Sequence, residues 1–164
     1  MKRLLYVLAL LLALPVLTHA QNALPKGKAQ VNLGFGFDEV DATVFYGSID
    51  YAVHPDITIG FNLNYRDYKA EIFRDLTIGG NLWGYQVNGN YHFNNWWGIN
   101  SNWDVYAGAN LTTYVLYFVD GGSYSETLFA GQVGARYYIN PKLAIQAEFS
   151  GYIYTGRVGL TFVL

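Results

Sequence analysis

Asp50, Arg66, Asp104, Arg136 and Glu148 are the residues with which this sequence could do chemistry. Each falls on the small, polar side of an alternating pattern that otherwise carries Gly, Asn, Gln, Ser and Thr. Carboxylates and guanidinium groups confined to one face have two uses. They can line a constriction that passes ions, or they can pair and fill the space. Counting back from the breaker Asn140-Pro141, Arg136 comes opposite Gln146 and diagonal to Glu148, within reach of long side chains. Asp50 and Asp104 fall toward the same end. A charge network that plugs is therefore expected over an ion path. His92 shares that face, with no Ser beside it and no acidic partner evident from spacing, so a catalytic triad is not expected. No metal spacing or nucleotide motif is present, and Gly34-Phe35-Gly36 is strand geometry, not a phosphate cradle. The expectation is no enzymatic activity, no catalytic residue, no cofactor and no metal.

The element that positions these residues is the β-strand. Period-two alternation recurs through the chain and divides it into eight strands, 29–37, 42–53, 56–66, 75–93, 103–119, 125–139, 142–154 and 157–164. One face is apolar, as in Val31, Leu33, Phe35 and Phe37, or Ile57, Ile59, Phe61, Leu63 and Tyr65. The other is polar, as in Gln86, Asn88, Asn90 and His92, or Gln132, Gly134 and Arg136. His54-Pro55-Asp56 and Asn140-Pro141 read as tight turns, and Thr155-Gly156 as a two-residue hairpin. Residues 67–74 and 120–124 read as polar loops, and 94–102 as a longer Asn/Trp-rich connection. The charged stretches 38–41 and 67–75 are expected to be solvated outward loops.

The N-terminus reads as an export signal. Met1-Lys2-Arg3 is basic, 4–17 is almost wholly apolar and broken by Pro15, and Thr18-His19-Ala20 offers a cleavage site. That leaves one domain over 21–164. Without Lys2 and Arg3, eight basic residues face twelve acidic ones, which argues against nucleic acid as a partner. The chain has no Cys, so neither a lipid-anchored N-terminus nor a disulfide is expected. Aromatic content is 18% and charged content 13%, against about a quarter charged in ordinary soluble domains. A large surface must therefore face something other than water. No later stretch suits a transmembrane helix, so a membrane-spanning reading requires a closed barrel, which leaves no backbone group unpaired in lipid.

Alternation alone does not say which face is outside. An inward apolar face would make a soluble lipocalin-like barrel. Lysine decides the matter, because such a barrel solvates its exterior with Lys and Glu. None of Lys26, Lys28, Lys69 and Lys142 sits in the interior of an expected strand. Aromatics agree: Phe35, Phe37, Phe45, Tyr65, Trp83 and Phe129 fall toward one rim, and Tyr51, Tyr91, Phe93 and Tyr137 toward the other, as in two membrane-interface girdles.

Strand 157–164 reads polar–x–Gly–x–x–aromatic–x–hydrophobic, with Gly159, Phe162 and Leu164 at the marked positions. It resembles the C-terminal assembly signal of bacterial outer-membrane barrels, whose last residue is usually Phe or Trp where Leu164 stands here. With the export signal and the girdles, the chain resembles the small eight-stranded outer-membrane barrels of Gram-negative bacteria, the OmpX and OmpA-transmembrane type, often labelled porin-like. The resemblance implies an all-β, eight-stranded, antiparallel up-and-down barrel with both termini on the periplasmic side. It implies a monomer in the outer membrane, in contact with lipid and lipopolysaccharide and delivered by the outer-membrane assembly machinery. A structural or surface-interaction role is expected, with a narrow porin as the alternative. Lipid A-modifying barrels of the PagP and PagL kind are enzymes of this size, but no site of that sort is legible here.

Overall fold

The computed structural model describes residues 24–37, 43–73, 76–151 and 156–164, without the side chains of 68–73 and 76–78. The expected export signal, the stretch 38–41 and Thr155 of the expected hairpin lie outside the described residues. Among the described residues the strands are β1 (Ala29–Phe37), β2 (Thr43–His54), β3 (Ile57–Phe73), β4 (Leu76–His92), β5 (Trp103–Phe118), β6 (Ser123–Asn140), β7 (Leu143–Ser150) and β8 (Gly156–Val163), and a short helix, α1 (Asn94–Trp97), lies between β4 and β5. Each strand pairs antiparallel with its sequence neighbours, and β8 closes on β1 to form a barrel of eight strands.

The faces divide as the alternation requires. Gln30, Asn32, Asn62, Gln86, Thr112, Gln146 and Thr161 are buried, while Leu33, Ile59, Phe61, Val87, Leu111, Val133 and Phe149 are exposed. Polar side chains form the core and apolar ones the outer surface, the reverse of a lipocalin-like barrel. Such a surface is stable only against lipid. The aromatic rim is a cross-strand row: Phe35 pairs with Phe45, Phe45 with Tyr65, and Tyr65 with Trp83. At the other rim the rings of Trp103 and Tyr137 are 5.0 Å apart.

Strands β3 to β6 are 17, 17, 16 and 18 residues long, against 9, 12, 8 and 8 for β1, β2, β7 and β8. One wall therefore rises well past the Tyr65–Trp83 row at the end away from the termini. This corrects the expected loop at 67–74. The chain stays extended to Phe73, which pairs with Leu76, and Lys69 lies within a strand opposite Gly79. A strand that projects beyond the bilayer has water on both faces and needs no apolar side, so Asp67, Lys69 and Glu71 mimic a loop. The use of Lys69 as a loop residue fails accordingly, although it still lies outside the girdle. The connection at 94–102 contains the turn of helix α1.

Leu111 is 48% exposed between the two girdles, and Val53 is 38% exposed at the terminal end. Leu111→Arg should cost about 2–4 kcal/mol near the bilayer midplane, and Val53→Arg about 0–1 kcal/mol close to the interface. Denaturant unfolding in phospholipid vesicles measures both. Equal costs at the two depths would contradict a barrel spanning the membrane.

Candidate functional site: the lumen charge network

The lumen is built from direct cross-strand neighbours. On β6, Arg136 pairs with Asp104 of β5 on one side and Gln146 of β7 on the other. Its Nη1 donates to Asp104 Oδ2 at 2.8 Å, and its Nε points at Gln146 Oε1 at 3.4 Å. Its Nη2 reaches across the lumen and donates to Asp50 Oδ2 of β2 at 3.0 Å. The guanidinium lies 4.4 Å above the Tyr106 ring. All three charged residues are buried.

Neighbouring amides and glycines hold this arrangement. Asp50 Oδ2 also accepts from Gln30 Nε2 at 3.1 Å and Asn32 Nδ2 at 2.9 Å. Gly60, paired with Asp50, leaves the room its carboxylate takes, because a Cβ there would overlap Asp50 Oδ1. Gly134 leaves room for the Tyr106 ring in the same way. The small inward residues are therefore the complement of long side chains crossing from other strands.

A second cluster adjoins the first through Tyr106. Its hydroxyl donates to Glu148 Oε2 at 2.7 Å and accepts from Gln146 Nε2 at 3.0 Å. Glu148 Oε1 pairs with Arg157 Nη2 at 2.7 Å. Arg157 Nη1 donates to Asn62 Oδ1 at 2.8 Å, and its guanidinium covers the Tyr46 ring at 4.5 Å. Farther along, Gln132 accepts from Gln86 at 3.1 Å and from Asn110 at 2.8 Å, and donates to Asn90 at 2.6 Å.

The structure thus brings Asp50, Asp104 and Arg136 into one cluster and Glu148 into its neighbour. The expected diagonal approach of Glu148 to Arg136 is replaced by a direct one: Glu148 pairs with Arg157 on β8, and direct cross-strand partners lie closer than diagonal ones. Arg157 shares the inward parity of Gly159 and Thr161, which was the available signal. Arg66 stands apart, in the other half, lining the lumen with Val44, Asn64, Leu82 and Tyr114. Gly159, Phe162 and Leu164 lie at the seam: a Cβ on Gly159 would overlap Leu33 O and Tyr46 Oη, Phe162 faces outward, and the Leu164 N–H donates to Ala29 O at 2.9 Å.

His92 has the acidic partner that spacing failed to reveal. Its Nδ1 lies 2.6 Å from Asp104 Oδ1, and its Nε2 lies 3.0 Å from Thr58 Oγ1. Hydroxyl, imidazole and carboxylate stand in the order of a catalytic relay. All three are buried, with Thr58 1% exposed, and two open depressions, around Phe61, Leu111 and Phe129 and around Val133 and Phe149, lie away from them on the outer apolar surface. What the arrangement supplies is a continuous hydrogen-bonded chain, Thr58–His92–Asp104–Arg136–Asp50, that fixes these side chains across the barrel.

The sequence matches a family model described as outer membrane protein beta-barrel domain over residues 6–161. Curated proteins gave no match. Among solved structures, the fold is similar to the N-terminal β-barrel domain of Pseudomonas aeruginosa OprF, at 18% identity over 85% of this chain and 98% of that one, with a TM-score of 0.60. It is similar to the Yersinia pestis outer membrane protein Ail in a phospholipid bilayer nanodisc, at 16% identity over 85% of this chain and 100% of that one, with a TM-score of 0.54. The de novo designed barrel TMB2.3 aligns at 16% identity over 83% of this chain and 93% of that one, with a TM-score of 0.53. At these identities the likeness is one of fold.

Proposed function

Because the chain belongs to the outer membrane protein beta-barrel domain family, we propose that it is an integral barrel of the Gram-negative outer membrane whose lumen is plugged by its own side chains and whose role is structural or surface-interactive, without enzymatic activity. One observation carries the plug. In a closed ring of eight, β2 and β6 stand opposite each other, and the 3.0 Å bridge from Arg136 to Asp50 joins them. A bridge across the diameter, with Asp104, Tyr106 and Gln146 packed against the guanidinium, supports a lumen filled at that level. The surface role is supported by the raised β3–β6 wall, where Tyr117, Val119 and Tyr124 are exposed beyond the girdle. In this reading the barrel works as a monomer, with outer-membrane lipid and lipopolysaccharide around it and the assembly machinery as its transient partner.

Planar-bilayer recording tests the plug. The wild-type protein should show little steady conductance. The variant Asp50→Ala/Arg136→Ala, which removes both ends of the bridge, should show at least several-fold more. Large, stable wild-type conductance that the double substitution leaves unchanged would overturn the plug and favour the narrow porin.

A further inference from the structure

The connection between β4 and β5 exposes two tryptophans that the lumen does not use. Trp96 is 71% exposed and Trp97 59%. Their rings are held. Phe93 stacks on Trp97 at 4.5 Å and 15°, and on Trp96 at 6.0 Å and 29°. Phe93 in turn meets Tyr91 edge-on at 5.1 Å. Tyr91 belongs to the outward aromatic girdle, so one run of rings passes from the lipid-facing wall around the end of the barrel.

The backbone beneath is fixed from its other side. Asn94 is buried, with its amide nitrogen donating to Trp103 O and its Oδ1 accepting from the Val105 N–H at 3.2 Å. Asn95 Nδ2 donates to Asp56 Oδ1 of the adjacent turn at 2.6 Å. Gly98, at φ 62°, ends α1 in the left-handed region. The stretch 93–103 carries no charged residue, whereas the other turns at this end carry Asp56 and Lys142. A connection bathed in water has no use for two fixed indoles and no charge. An indole is an amphipathic plate with one N–H donor, and it is favoured where hydrocarbon meets headgroup.

We propose that α1 is an interfacial anchor: Trp96 and Trp97 lie in the headgroup and carbonyl region of the phospholipid leaflet at the terminal end of the barrel, continuing the girdle beyond the strands. The rings are already stacked in place, so little ordering opposes their insertion. The anchor rests on the membrane placement of the barrel and is independent of the plug. A glycan stacked on the indole faces is the rival occupant.

The full-length mature chain, refolded into phosphatidylcholine–phosphatidylethanolamine vesicles with acyl chains brominated near the headgroup or near the chain end, decides between them. Wild type is compared with Trp96→Phe/Trp97→Phe, and the single variants give the same difference one ring at a time if the pair fails to fold. The difference emission should be blue-shifted, quenched at least twofold by shallow bromine, less by deep bromine and little by iodide. Water-like difference emission, quenched by iodide and indifferent to bromine, overturns the anchor. Protection from iodide by added chitotetraose in place of lipid quenching overturns it in favour of a sugar platform. The emission left in the double variant comes from Trp83 and Trp103. Its quenching by bromine reports the membrane placement separately, so an unquenched residual signals failure of the placement itself.

Discussion

Arg136→Ala is expected to remove a large part of the barrel's stability. Arg136 bridges Asp50 and Asp104, at 3.0 and 2.8 Å. Without it, both buried carboxylates lose the guanidinium, and Asp104 is left with His92 Nδ1 at 2.6 Å. Breaking one buried pair in this way costs roughly 3–5 kcal/mol, and here one substitution takes the guanidinium from two carboxylates, of which Asp50 keeps the Gln30 and Asn32 amides. The guanidinium's contact with the Tyr106 face is lost as well. Against the 5–15 kcal/mol stability of an ordinary domain, about 4 kcal/mol is a major share. The triple variant Arg136→Met/Asp50→Asn/Asp104→Asn should recover at least half of the loss, because it removes the stranded charge while keeping most of the volume. Double-mutant cycles should place the coupling of Arg136 with Asp104 at least ~1 kcal/mol above its coupling with Glu148, which pairs instead with Arg157. Urea unfolding of the refolded barrel, followed by tryptophan emission, measures all of these. Arg136→Ala within about 1 kcal/mol of wild type would mean that the network fills the lumen without stabilising it.

The barrel was legible in the sequence because a membrane strand has lipid on one side and a narrow polar lumen on the other. That asymmetry imposes alternation on every residue from Ala29 to Phe37, and on six or seven strands in all. The pattern fails where the asymmetry ends. Beyond Tyr65 the β3–β4 pair has water on both sides, so Asp67, Lys69 and Glu71 carry no signal of the strand they form. Contacts set by a short turn could be counted: Asn140-Pro141 puts Arg136 opposite Gln146. Contacts across the lumen could not, because Arg136 meets Asp50 only through closure of the ring, and strand parity does not encode which strands end up opposite. The His92–Asp104 pair was hidden for a related reason. It depends on the register across 94–102, and α1 makes the length of that connection uninformative. Arg157 was the avoidable omission, since its parity with Gly159 and Thr161 already directed it inward.

Deleting residues 162–164 is expected to abolish assembly. β8 is the strand that turns an open sheet into a ring, and its last residues belong to both seams. Phe162 pairs with Val31 of β1 and Leu143 of β7, and Val163 pairs with Gln30. The Val163 N–H donates to Lys142 O at 3.0 Å and the Leu164 N–H to Ala29 O at 2.9 Å. β8 has 8 residues, already at or below the ~9–11 that a tilted strand needs to cross the hydrocarbon. Shortened further, it would leave β1 and β7 with unpaired edges at the terminal end, where each unsatisfied group in lipid costs several kcal/mol. The truncated chain should show no heat-modifiable migration on gels and should accumulate in cells as a protease-sensitive periplasmic species. Phe162→Ala separates closure from recognition by the assembly machinery, because it keeps the backbone of the seam. It should refold into detergent with the compact migration of wild type while its yield in the outer membrane falls. If the truncated chain instead migrates as a folded barrel, the seam at 162–164 is dispensable and the closure argument is wrong.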